Sequence, residues 1–350
     1  MTHENQPVPD VHPVIETPPS APIPFVDLAN LDGRIVMSGF FHDGTRWRTW
    51  ARVATGALVE LKIVELAEGF YFAEKPQSPT DAHFRFMDFI AQHASFPELK
   101  FAVAGVMDDI SNLSASLAKL QLLHTSRDSV GSGITRMVAT EVEYILSVCR
   151  SLFDLLQEVI SKLWQKITLA APAGTKRPMK GSFASVALFQ DAPATAEKLV
   201  EKYGLPEPLA VFYTAVTPFF LQLRTIRDNL VHHGSQVQTI FSSDADFLIS
   251  EHLRPFESMK IWWDDERQPN NLVPLRPAIN AVVYRTLSVC EAFSEVMRQH
   301  FQIPPPVVPG MHLFMRGPFN PSFLDAMNDA VHREGSLGGG LQSTTPARTQ

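Results

Sequence analysis

The sequence predicts a mainly α fold, a helical bundle with a small N-terminal β-hairpin or meander segment and disordered tails. Two observations lead to it. From about residue 80 onward, apolar residues recur at steps of three and four, the period of a helix with one buried face. Prolines cluster outside this region, since residues 1–24 and 304–350 hold 14 of the 27, and proline disfavours packed regular structure.

The proline pattern divides the chain into four parts. They are a disordered Pro-rich tail at 1–24, a small β segment at 25–75, a helical bundle at 76–303 and a mostly disordered tail at 304–350. The composition, 45% hydrophobic and 19% charged, is typical of a globular protein and excludes a wholly disordered, collagenous or coiled-coil chain. We expect neither a membrane-spanning helix nor a signal peptide.

The β segment is predicted from turn signals. Asp43-Gly44 is a hairpin turn of the type that accepts positive φ, and it separates Arg34–His42 from a returning strand at Thr45–Ala54. A third strand is predicted at Leu58–Leu66. Four positions of the second strand share one face: Arg46, Arg48, Trp50 and Arg52. That face could grip phosphates and stack a base of RNA; the alternative is a solvated hairpin face.

Helical periodicity then predicts the remaining elements in order. After a short helix at Asp81–Gln92, the long predicted helices are Val106–His124, Ile134–Ala171, Glu207–His233 and Pro277–Phe301. Pro172 ends the second of these, and Pro218 kinks or restarts the third. A loop at 171–182 carries a further basic group: Lys176, Arg177 and Lys180. It is interpreted either as a backbone contact for RNA or as a solvated linker.

Charge and missing motifs exclude several function classes. The formal net charge of −7 gives no global attraction to nucleic acid, so an RNA-binding role requires a local basic surface. The chain lacks the G-x-x-x-x-G-K-[ST] phosphate loop, the G-x-S-x-G nucleophile turn and the H-E-x-x-H zinc motif. Cys149 and Cys290 alone form neither a disulfide framework nor a zinc site, and they predict a reducing compartment.

The end of the third long helix carries the residues best suited to chemistry. They are Arg227, Asp228, Asn229, His232 and His233. Asp228 and His232 are i,i+4 neighbours, about 40° apart around a helix, so they can hydrogen-bond. A histidine beside a carboxylate can transfer protons, and an arginine can hold a phosphate. The alternative is a helix cap, in which Asn229 faces solvent and the histidines bond free carbonyls.

This pattern resembles the Arg-x4–6-His signature of the HEPN superfamily. Arg227-Asp228-x-x-x-His232 fits the four-residue spacing and His233 fits five, within helical context at roughly 106–302. The resemblance implies a HEPN-like helical bundle, usually dimeric, with a composite active site at the dimer interface. It implies that Arg227 stabilises the scissile phosphate, that His232 is the general base or acid, and that Asp228 orients it. This chain departs from the family in its size and in its β segment.

We therefore predict a cytoplasmic, metal-independent endoribonuclease of HEPN type, acting as a homodimer on RNA. A toxin or defence system is the setting that the resemblance implies, with an antitoxin or another protein as partner. The alternative is a non-catalytic helical module that binds protein or a nucleotide, in which the Arg/His motif is structural. Neither a cofactor nor a metal ion is expected.

Overall fold

The structure is a computed structural model that describes residues 23–170, 175–233, 239–257 and 259–337, with the backbone alone for 226–233 and 337. Its helices are α1 (Arg85–His93), α2 (Lys100–Thr125), α3 (Arg127–Val130), α4 (Ile134–Lys166), α5 (Phe183–Ala187), α6 (Ala196–Tyr203), α7 (Glu207–His233), α8 (Leu275–His300) and α9 (Asn320–Leu337). Its strands are β1 (Phe40–His42), β2 (Trp47–Arg52), β3 (Leu58–Lys62), β4 (Gly69–Ala73), β5 (Leu188–Phe189), β6 (Ala192–Pro193), β7 (Phe241–Ser242), β8 (Phe247–Ser250), β9 (Leu272–Pro274) and β10 (His312–Arg316).

The strands near the N-terminus form a five-stranded mixed sheet with the order β10-β4-β1-β2-β3. The predicted hairpin is confirmed: β1 and β2 pair antiparallel with Phe41 opposite Arg48, and the Asp43 carboxylate accepts hydrogen bonds from the backbone of Thr45 and Arg46 in the turn. β1 and β4 pair in parallel, whereas every other pair in this sheet is antiparallel. Two smaller sheets, β5-β6 and β7-β8-β9, lie later in the chain.

The predicted fold class, a HEPN-like helical bundle with a small N-terminal β-hairpin or meander, is wrong. Strands from both ends of the chain build the mixed sheet, because β10 pairs with β4 along its whole length, from His312 opposite Ala73 to Arg316 opposite Gly69. Two further sheets accompany the helices. The sequence pattern could not reveal this arrangement, since the pairing partner of a strand is set by long-range contacts rather than by local periodicity.

The segment after residue 303 also differs from the expected disordered tail, since it contributes β10 and α9. Its prolines lack an N–H group but keep a carbonyl that accepts hydrogen bonds. Arg34 Nη1 donates to the Pro305 carbonyl over 2.6 Å. Nδ1 of His93 lies 2.8 Å from the carbonyl oxygen of Pro304. Gln92 reinforces the contact, as its carbonyl accepts from Val307 N over 2.9 Å. Donors from other elements therefore hold the Pro-rich segment in place.

The helices share one large apolar core with the inner face of the sheet. α4 packs against α2, α7 and α8, and its predicted apolar stripe is buried, with Leu152 and Phe153 at most 1% exposed. Phe41 and Phe72 join the same core from the sheet. Cys149 and Cys290 are free and buried in it. None of the described helices is both long enough and apolar enough to cross a membrane. Residues 1–22 of the predicted tail, like 338–350, lie outside the described part of the chain.

Candidate functional site

The helix that carries the Arg/His motif is observed where it was predicted, at Glu207–His233. The helical backbone includes all five motif positions: Arg227, Asp228, Asn229, His232 and His233. Their side chains lie outside the described residues, so the pairing of Asp228 with His232 stays a prediction. The unbroken backbone satisfies the condition for it, since residues four apart face each other only on a continuous helix.

Pro218 lies inside one continuous helix, so of the two expected outcomes, a kink or a restart, the restart is wrong. The Thr217 hydroxyl donates back to the Tyr213 carbonyl over 2.6 Å instead of capping a new helix. Tyr213 is itself buried and donates to Gln157 Oε1 of α4 over 2.5 Å. Tyr213 before the proline and Phe220 after it are both fully buried, so packing holds the helix on both sides of Pro218. α7 is therefore one continuous helix, and α4 contacts it near its middle.

Side chains of α7 are packed in the core close to the motif. Phe220 is fully buried, and the Arg150 guanidinium lies 4.4 Å from its ring centroid. Leu223 is 1% exposed, whereas Thr225 is exposed. Arg224, between them, is half-buried and lies 3.8 Å from the Asp191 carboxylate. The packing therefore holds α7 in the core up to Leu223, and Thr225 continues the exposed outer face of the helix.

The basic face predicted on β2 is partly used in packing. Arg48 makes a bidentate ion pair with Glu60, with Nε–Oε1 and Nη2–Oε2 distances of 2.7 and 2.8 Å. Its guanidinium also lies 5.0 Å from the Trp50 ring centroid. These hydrogen bonds hold the pKa of Glu60 below its usual value. Arg46 and Arg52 are exposed. Arg48 and Trp50 therefore stabilise the sheet, and the exposed arginines remain as candidates for phosphate contact.

The second predicted RNA contact, at Lys176, Arg177 and Lys180, is also mostly structural. Lys176 Nζ donates to the Trp164 carbonyl over 2.7 Å and to the Ile167 carbonyl, both at the C-terminal end of α4. Arg177 Nη1 donates to the Glu201 carbonyl near the end of α6 over 3.2 Å. Cations at these positions satisfy carbonyls that lack a partner within the helix. Lys180 is exposed and remains a candidate for RNA contact.

A cleft of about 590 Å³ lies between α2, α8 and α9, and it was not predicted. Its lining includes five acidic residues and two arginines: Asp246, Asp265, Glu266, Asp325, Asp329, Arg276 and Arg333. An excess of carboxylates repels a polyanion. This acidic cleft is therefore not where RNA or a nucleotide phosphate would bind. The sequence held no signal for it, since its walls come from segments far apart in the chain.

One group of side chains in the described residues has the composition and spacing of a metal site. His83, Asp88 and His312 each offer a ligand atom within 4.8 Å of the others. His83 precedes α1, Asp88 lies in its first turn and His312 begins β10. The sequence showed no metal-binding spacing because His312 is distant from the other two along the chain.

Comparisons with the models of known protein families, with curated proteins and with solved structures give no match. The function must therefore be inferred from the residues of this chain and from the elements that position them.

Proposed function

We propose that this protein is a metal-independent endoribonuclease in which Arg227, Asp228 and His232 act on the RNA backbone. The observation that carries the proposal is the Arg-Asp-x-x-x-His spacing on a helix that runs unbroken to His233. The packing of α7 supports it, because buried residues anchor the helix up to Leu223, four residues before Arg227.

The three side chains divide the chemistry of phosphodiester cleavage. His232 accepts the proton of the ribose 2′-hydroxyl, whose oxygen attacks phosphorus as the bond to the 5′-oxygen breaks. Asp228 orients the imidazole and stabilises its charged form, as a carboxylate four residues away on a helix can do. Arg227 stabilises the charge that develops on the phosphate oxygens. The products carry a 2′,3′-cyclic phosphate and a 5′-hydroxyl.

Cleavage also needs an acid that protonates the leaving 5′-oxygen. A homodimer with two-fold symmetry supplies it, because each protomer brings one His232 to a shared site. One imidazole then acts as base while the other, charged at the C-terminal end of its helix where the dipole favours a cation, acts as acid. Exposed Arg46, Arg52 and Lys180 are the proposed contacts to the RNA backbone. We infer a cytoplasmic location, since both cysteines are free.

Cleavage of RNA in the presence of a chelator tests the proposal. Purified protein is incubated with total RNA in EDTA, and product ends are tested for 2′,3′-cyclic phosphate. We expect Arg227→Ala and His232→Ala each to lower the cleavage rate by about 100-fold or more, the usual size of an acid–base or phosphate-stabilising contribution. Matched controls replace an exposed arginine and an exposed histidine that have no proposed role, Arg136→Ala and His252→Ala, and keep at least half of the parent rate.

Two outcomes contradict the proposal. Cleavage by Arg227→Ala and His232→Ala at the parent rate would show that another site, or a contaminant, cuts the RNA. No cleavage by the parent, together with a lower melting temperature of both variants, would favour the structural interpretation of the motif. Light scattering of the parent protein checks the dimer, since a monomer at assay concentration contradicts the composite site.

A further inference from the structure

The group at the edge of the five-stranded sheet is built like a metal site and plays no part in the proposed cleavage. We propose that His83, Asp88 and His312 bind one divalent transition-metal ion, with Zn²⁺ as the best fit. The proposal does not depend on the ribonuclease activity. It depends on the contacts that orient the three side chains and on the chemistry of their donor atoms.

The carboxylate of Asp88 is oriented by the backbone of β10. Asp88 is 7% exposed, and its Oδ1 accepts a hydrogen bond from Leu313 N over 2.8 Å. Its other oxygen, Oδ2, lies 3.3 Å from Nδ1 of His312. Two ligands on one tetrahedral Zn²⁺, each about 2.0–2.1 Å from the ion, are about 3.4 Å apart. The Asp88–His312 pair therefore already has the separation of two ligands on one ion.

The imidazole of His83 is held by a backbone carbonyl. Its Nδ1 lies 3.1 Å from the Leu313 carbonyl oxygen. Because a carbonyl only accepts, Nδ1 carries the proton and Nε2 keeps its lone pair. A histidine that ligates a metal through one nitrogen typically donates from the other to a carbonyl or carboxylate. Leu313 thus orients two of the three ligands, one through its N–H and one through its carbonyl.

The scaffold behind the ligands is rigid backbone pairing. Ala82 and Met315 exchange two hydrogen bonds, with N–O distances of 2.9 and 2.8 Å, so the segment that carries His83 is tied to β10. His312 also pairs with Ala73 of β4. The two histidine side chains are exposed, so their rings can turn. Contraction of the site from 4.8 Å to tetrahedral spacing would take a turn of these exposed rings that keeps the bond of His83 Nδ1 to the Leu313 carbonyl.

The donor set selects the class of metal. Two imidazole nitrogens and one carboxylate suit Zn²⁺ and its neighbours in the first transition row, whereas Mg²⁺ and Ca²⁺ prefer all-oxygen ligands. Three protein ligands leave a position for water. The nearby cation Arg85 does not disfavour a metal, because its guanidinium is paired with Glu291 over 3.3 Å. The ion would join the start of α1 to β10 and so stabilise the attachment of the C-terminal segment.

Zinc titration of the full-length protein tests the proposal. The protein is prepared without a histidine tag, stripped with chelator and dialysed, and Zn²⁺ binding is measured by calorimetry. We expect His83→Ala and His312→Ala each to lose one equivalent of bound Zn²⁺. His252→Ala, an exposed histidine elsewhere, keeps the parent stoichiometry. Asp88→Asn retains an oxygen that accepts from Leu313 N, and it weakens binding by about tenfold or more, because the charged ligand is lost.

Thermal unfolding gives a second measurement. Zn²⁺ should raise the melting temperature of the parent and of His252→Ala by several degrees, since a ligand that binds the native state stabilises it. The rise should be absent in His83→Ala and His312→Ala, and Mg²⁺ should produce none. The proposal is overturned if both variants bind as many equivalents as the parent, or if Zn²⁺ raises all melting temperatures equally. Neither measurement uses RNA, so a failed ribonuclease assay leaves this test intact.

Discussion

Replacement of Asp81 by alanine tests the attachment of the C-terminal strand to the N-terminal sheet. The Asp81 side chain is 1% exposed and receives two hydrogen bonds from Arg316 of β10, over 2.9 and 2.8 Å. Tyr71 of β4 donates its hydroxyl to the same carboxylate over 2.6 Å. The backbone N–H groups of Gln77 and Ser78 donate to it as well. The substitution removes the shared acceptor of all these donors, although Gln77 N keeps the Tyr71 hydroxyl oxygen at 2.9 Å.

The expected loss follows from the burial of the pair. Removal of one partner of a buried ion pair costs about 3–5 kcal/mol, because the remaining charge stays desolvated and unpaired. Arg316 is 13% exposed and keeps its contact with the Trp47 ring, 4.8 Å away, which favours the lower half of that range. We therefore expect Asp81→Ala to lower the free energy of unfolding by about 3–4 kcal/mol, and the melting temperature by about 6–8 °C, at about 2 °C per kcal/mol.

The same carboxylate gives the loss a pH dependence. Burial raises the pKa of Asp81, but the hydrogen bonds from Arg316 and Tyr71 outweigh burial and bring it below the usual value. A carboxyl whose folded pKa is lowered contributes stability above its unfolded pKa of about 3.9 and loses it as the pH falls through the folded value. The difference in free energy of unfolding between the parent and Asp81→Ala should therefore be largest at neutral pH and become smaller below about pH 4.

Urea unfolding at pH 7 and at pH 3, followed by circular dichroism, measures both effects. Arg46→Ala is the matched control: its side chain is 64% exposed and pairs with Glu60 at 3.4 Å, so it should change stability by less than about 1 kcal/mol. Asp81→Asn keeps an acceptor for Tyr71 and should lose less than the alanine variant. A loss below 1 kcal/mol for Asp81→Ala at pH 7 would refute the buried network, and with it the observed position of β10.

Two further predictions concern residues whose role the structure changes or confirms. Arg48→Ala should lower the free energy of unfolding, measured in urea, by about 1–2 kcal/mol, because it removes the bidentate ion pair with Glu60 and the cation–π contact with Trp50. A stability equal to that of the parent would contradict a structural role of Arg48. Cys149 and Cys290 should react with a thiol reagent only on unfolding, because burial raises both thiol pKa values, that of Cys149 to about 12; fast labelling of the native protein would contradict their burial.

The helices were predictable because their signal is local. The apolar stripe and the run without Gly or Pro predicted α4 at Ile134–Ala171, and it is observed at Ile134–Lys166. α7 was predicted with its observed bounds, although Pro218 was expected to interrupt it. The expected restart was wrong, and the buried contact of Tyr213 with Gln157 of α4, which holds the helix just before the proline, is a tertiary contact. Sequence spacing contains no information about it.

The sheet and most of the site could not be predicted from local sequence patterns. β10 was not predicted because prolines surround it in the sequence. The carbonyls of Pro304 and Pro305 contact His93 and Arg34, which are distant in the sequence, so these contacts exist only in the folded chain. The same holds for the predicted RNA contacts, since the sequence identified Arg48 and Lys176 as cations but not the acceptors that occupy them. The sequence therefore identified which residues carry a positive charge. Their roles depend on partners that are distant in the sequence or that strand register brings opposite them.

The pairing of β4 with β10 also has a consequence during protein synthesis. β4, with Phe70, Tyr71 and Phe72, leaves the ribosome early, but its partner follows about 240 residues later, a delay on the order of 10–50 s at usual elongation rates of about 5–20 residues per second. Throughout that interval one edge of an aromatic strand lacks its neighbour, and such an edge is a template for pairing with other nascent chains. A chain that terminates before His312 is therefore an aggregation-prone fragment rather than a smaller version of this protein.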